Sequence, residues 1–89
     1  MGADVYISGP GFWYDRSALE DDIEEWLGDR GEVTGGGSGK DGWDIDICLA
    51  AERVTDDFLN ELLAFLRGLD APPGVKVTVV EHTRRVYHL

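Results

Sequence analysis

The chain alternates between two hydrophobic periods. Residues 4–8 place Val5 and Ile7 on one side and Tyr6 and Ser8 on the other, the period of two of a strand with one covered face. Gly9-Pro10-Gly11 breaks that run. Leu19, Ile23, Trp26 and Leu27 then recur at i, i+4, i+7 and i+8, one stripe of a helix. Ser17 and Glu20 form an S-x-x-E capping box at its start, and Gly28 is its expected stop. Glu32-Val33-Thr34 opens a second strand, and 35–42 (Gly-Gly-Gly-Ser-Gly-Lys-Asp-Gly) is expected to be a flexible turn. Trp43, Ile45, Ile47 and Leu49 alternate with Asp44, Asp46 and Cys48, the signature of a half-buried antiparallel strand.

Thr55 is a good N-cap for a second helix, with Asp56 and Asp57 at the positive end of its dipole. Phe58, Leu59, Leu62, Leu63, Phe65, Leu66 and Leu69 make a wide apolar stripe that ends near Gly68 and the Asp70–Gly74 turn. Val75, Val77 and Val79 alternate with Lys76, Thr78 and Val80 as a further strand. Thr83 to Leu89 either extends that strand or turns back as a short edge strand.

The order strand, helix, strand, strand, helix, strand predicts an α+β, ferredoxin-like βαββαβ two-layer sandwich. Its sheet would have four antiparallel strands with both helices on one face. The expected core is Val5, Ile7, Leu19, Ile23, Trp26, Ile45, Ile47, Phe58, Leu62, Leu66, Val75 and Val77. Tyr6, Asp44, Asp46, Lys76 and Thr78 would lie on the open sheet face. At 89 residues the chain is expected to be a single domain, 1–89, with 82–89 an added edge strand or a tail.

Composition narrows the function classes. Hydrophobic residues are 43% and charged residues 29%, a globular mixture. Eighteen acids against eight Lys and Arg give a net charge of −10, which argues against nucleic acid and anionic membranes as partners. Eight of the acids lie between Asp15 and Glu32, opposed there only by Arg16 and Arg30, so that segment carries −6 of the total. Cys48 is the only cysteine, so no internal disulfide forms, and its acidic neighbours blunt a thiolate. With no signal-peptide pattern at the start, a cytoplasmic protein is expected.

The motifs that carry chemistry are few. Gly37 to Gly42 fits G-x-G-x-x-G, but a strand rather than a helix follows it, so no phosphate meets helix-end amides. A Walker A reading fails because Thr34 stands at the first glycine and Asp41 follows Lys40. Asp44 and Asp46 share a strand face about 7 Å apart, a spacing that suits a hard cation, yet no third oxygen ligand is evident. His82 and His88, beside Arg84 and Arg85, read as a basic edge segment rather than a metal site. No cofactor or metal is expected. Phe12-Trp13-Tyr14 is a run of aromatics too long to bury entirely from a loop, and exposed aromatics are common interface anchors.

Ser8-Gly9-Pro10-Gly11-Phe12, followed by Arg16, resembles the phosphate-binding loop of the acylphosphatases, a family of similar size and element order. The resemblance implies an acyl-phosphate hydrolase with Arg16 on the phosphate. The longer loop pattern of that family is not kept, and Ser38 lies in the region of its catalytic asparagine.

The leading expectation is a non-catalytic protein-binding domain with an acidic recognition helix. Trp13, Asp21, Asp22, Glu24 and Glu25 are its expected contact residues for a basic protein partner. An immunity or inhibitor protein covering the cationic site of a toxin or effector is the concrete form. A homo-oligomeric regulatory domain that pairs through its open sheet face is the alternative.

Overall fold

β1 (Gly2–Gly9), α1 (Arg16–Leu27), β2 (Gly31–Gly39), β3 (Gly42–Ala50), α2 (Asp56–Gly68), β4 (Lys76–Val80) and β5 (Arg84–His88) follow one another along the chain. The structure is a computed structural model and describes residues 2–10, 16–39, 42–72, 74–81 and 84–88. One antiparallel sheet has the order β2-β3-β1-β4-β5. The sheet therefore has five strands where the sequence pattern predicts four. The C-terminal segment turns back and pairs with β4, Val77 opposite Tyr87 and Thr78 opposite Val86.

Strand alternation fixes one covered face. Val5 lies opposite Ile47 and Val79, and Ile7 opposite Ile45 and Val77, and all six are buried. Leu19, Ile23 and Leu27 of α1 and Phe58, Leu59, Leu62 and Leu66 of α2 join them in a single core cluster. Both helices thus cover the same side of the sheet. Every expected core residue is in the cluster except Trp26, which is half-buried and packs against it. Its ring lies 5.5 Å from that of Phe58 and 5.3 Å from that of Phe65, a bridge between the helices.

Three local expectations change. Ser17 lies within the first turn of α1, which already includes Arg16, whereas the N-cap of a capping box must be non-helical. The glycine run expected as a turn is strand as far as Gly39, since the ladder to β3 uses backbone groups that glycine supplies as well as any residue. Thr34 is an extra residue in that ladder, a bulge between Val33 and Gly35, and its hydroxyl donates to the Asp46 carbonyl oxygen at 3.4 Å. Thr78 occupies an open-face position but is only 3% exposed, lying between Tyr6 of β1 and Val86 of β5 in the ladder.

Other signals act as expected. Thr55 caps α2, its Oγ1 accepting from the Phe58 amide at 3.1 Å. Gly28 ends α1 at φ +60, a left-handed conformation that glycine adopts without penalty.

Candidate functional site

Two surfaces bear charge, one on each side of the molecule. The first is the outer face of α1. Leu19, Ile23 and Leu27 fix the helical phase by entering the core. That phase leaves Asp21, Glu24 and Glu25 exposed, while Glu20 and Asp22 are half-buried. No ion pair reaches Asp21, Glu24 or Glu25 among the described residues. Trp13, the remaining expected contact, lies outside the described residues, as do Phe12 and Tyr14.

The nearby cation Arg30 is committed elsewhere. It donates from Nε to the Leu27 carbonyl oxygen at 3.1 Å, from Nη2 to the Trp26 carbonyl oxygen, and from Nη1 to Glu61 Oε2 at 3.2 Å. It thereby satisfies the end of α1 and ties it to α2. The acidic face stays uncompensated by it.

Two acids of α1 also lie at the unfavourable end of its dipole. No acid lies in its first turn and no base in its last, where Glu24 and Glu25 sit. Carboxylates there meet the negative end of the dipole. Asp21 and Glu25, and Glu20 and Glu24, are like-charge i,i+4 pairs, each unfavourable by about a few tenths of a kcal/mol. By contrast α2 has Asp56 and Asp57 first and Arg67 last, the stabilising arrangement.

The second surface is the sheet face away from the helices. Its side chains form three rows across the strands. One runs Glu32, Cys48, Asp4, Val80, Arg84; the next Gly35, Asp46, Tyr6, Thr78, Val86; the third Gly37, Asp44, Ser8, Lys76, His88. The acids Glu32, Asp44, Asp46 and Asp4 fall on β2, β3 and β1, and the bases Lys76 and Arg84 on β4 and β5. Val86, at 44% exposed, is the one exposed large hydrophobic among the described residues.

Asp44 and Asp46 interact directly. Burial first, then the Asp44 side chain and the charges of Asp44 and Asp4, hold the Asp46 carboxyl above its ordinary pKa. Asp46 Oδ1 is buried and has no hydrogen-bond partner among the described residues. Tyr6 is also raised, chiefly by the charge of Asp4, with burial, Asp46 and Asp44 adding and Arg84 opposing. Two carboxylates here could share a proton or touch a cation. No group of three or more metal-type ligands converges among the described residues.

At the Ser8–Lys76 end of this face lies an open cleft of about 780 Å³, lined by Ser8, Pro10, Trp43, Asp44, Lys76 and His88 among others. Ser8, Gly9 and Pro10 of the loop that resembles a phosphate-binding loop border it. Gly11 and Phe12 lie outside the described residues, as do Lys40, Asp41 and His82. Cys48 is half-buried on β3. Among the described residues no helix is long and apolar enough to cross a membrane.

Strand parity signals Asp4, Cys48 and Val80 as companions of Tyr6, Asp46 and Thr78, but placing them in rows needs the strand order. Arg84, Val86 and His88 carry no such signal, since the register of β5 is set only by pairing. No protein-family model, curated protein or solved structure matches the chain.

Proposed function

We propose that this protein is a non-catalytic protein-binding domain whose outer α1 face, centred on Asp21, Glu24 and Glu25, docks a basic protein. The observation that carries the reading is the arrangement of α1 itself. Glu24 and Glu25 lie at the negative end of its dipole, Asp21 and Glu25 form a like-charge i,i+4 pair, and Asp21, Glu24 and Glu25 meet no cation among the described residues. Charge placed where it weakens the helix is the pattern of a surface kept for recognition at some expense of stability. Complementary charge steers association and rejects wrong partners.

An immunity or inhibitor protein of the cytoplasm that covers the cationic site of a toxin or effector is the form this chemistry suits best. The scaffold reads as a ferredoxin-like core with an added strand. Support for that reading is the order β2-β3-β1-β4 with both helices on one side, β5 extending the β4 edge.

The test replaces Glu24 and Glu25 by Lys, since Asp22 is half-buried and a poorer probe of contact. Wild type and E24K/E25K are used as baits at low and at physiological salt. The reading expects a basic protein that is retained by the wild type, weakens with salt and is lost to the variant. Retention of the same proteins by both baits at every salt concentration contradicts it.

A further inference from the structure

We propose that the open sheet face binds a second copy of itself, about a two-fold axis that lies along β1 in the plane of contact. The case is charge and shape self-complementarity. Rotation about such an axis lays β3 over β4 of the second copy and β2 over its β5, and keeps each transverse row on itself. Asp44 then meets Lys76 of the second copy, and Glu32 meets Arg84 of the second copy. In the middle row Gly35, which has no side chain, lies under the exposed Val86 of the second copy. The other in-plane axis, perpendicular to the strands, sets acid on acid.

The symmetry repeats each pairing twice, so four opposite-charge contacts form. Asp4 meets its own copy near the axis, a single like-charge contact set against them. Packed sheets turn by about 30° relative to one another, which tilts the axis by about half that angle from β1, an offset that long Lys and Arg side chains span. Five strands about 4.8 Å apart and five residues at about 3.3 Å give a footprint of roughly 20 by 16 Å. That is small for an obligate dimer, so the pairing is reversible and depends on concentration. The net charge of −10 repels two copies at long range, and physiological salt screens that repulsion beyond about 8 Å. The helices lie on the opposite side, so the pairing leaves the α1 face free.

The experiment is sedimentation equilibrium of the full chain at physiological salt, from micromolar to millimolar concentration, with circular dichroism to confirm folding. Wild type is expected to dimerise. Asp44→Lys and Lys76→Asp are each expected to weaken dimerisation more than about tenfold. Mixed in equal amounts, the two variants are expected to form a heterodimer. At one of the two symmetric sites the introduced lysine faces the introduced aspartate, and at the other the native Asp44–Lys76 pair re-forms. A wild type that stays monomeric throughout overturns the proposal. So do single variants that dimerise like wild type, which points to pairing along the β2 edge, and a mixture of folded variants that stays monomeric.

Discussion

The guanidinium of Arg30 lies 4.4 Å from the centroid of the Trp26 ring while Nη2 of the same group donates to the Trp26 carbonyl oxygen. One side chain thus closes a helix end, covers an aromatic ring and reaches Glu61 on α2. Arg30→Ala is expected to lower stability by about 2 kcal/mol, read from urea denaturation. Arg30→Lys keeps the charge but loses the planar fork, and is expected to recover less than half of that. Full recovery by Lys would show that charge alone matters there.

Thr55 is the cleanest local test of the second helix. Its hydroxyl accepts from the Phe58 amide, and Phe58 is buried in the core. Thr55→Ala is expected to cost about 1 kcal/mol and Thr55→Ser to cost less than half of that, both measured by denaturation.

Asp46 predicts a pH effect. Its carboxyl is held above the ordinary value, so the native state binds that proton more tightly than the unfolded chain does. The stability from this group is full below the ordinary carboxylate pKa of 3.8 and is lost as pH rises through the raised native value. Asp46→Asn mimics the neutral form. It is expected to be more stable than wild type at neutral pH, with a flatter stability profile on the weakly acidic side. An unchanged slope would show that Asp46 does not carry the effect.

Two glycines should respond in opposite directions to alanine. Gly42 has φ +148, and an added Cβ would lie 2.5 Å from the Gly9 carbonyl oxygen. Gly42→Ala is expected to destabilise by about 2–4 kcal/mol, since either Gly9 or the β3 start must shift. Gly68 ends α2, and an added Cβ meets nothing within 4 Å. Gly68→Ala is expected to stabilise by about 0.5–1 kcal/mol. Thermal unfolding of both variants reads the contrast.

Whatever repeats with a strong period is legible in the sequence. β3 and α2 declare themselves because Trp43, Ile45, Ile47 and Leu49, and then Phe58, Leu62 and Leu66, are apolar at the right spacing and have polar neighbours. The phase of α1 is readable for the same reason, and with it the exposure of Asp21, Glu24 and Glu25. β5 is not readable. Arg84-Arg85-Val86-Tyr87-His88 has only two apolar residues, and its partner sets its register. The glycine run of β2 reads as a turn because a strand held by backbone bonds alone leaves no side-chain pattern. Without β5 half of the basic side of the open face is hidden too, since Arg84 joins Lys76 there only once it is placed beside Val80.

The bulge at Thr34 bears on how the length of this chain can vary. Without Thr34, Val33 would still face Ile47 and Gly35 would still face Asp46, so a one-residue deletion there preserves the phase of everything downstream. The same deletion within β3 would exchange inside for outside along the strand, sending Ile45 or Ile47 to solvent. Of these two strands, a one-residue deletion is therefore absorbed in β2 and not in β3, and descendants of this sequence should record that asymmetry as gaps near Thr34 and none between Trp43 and Leu49.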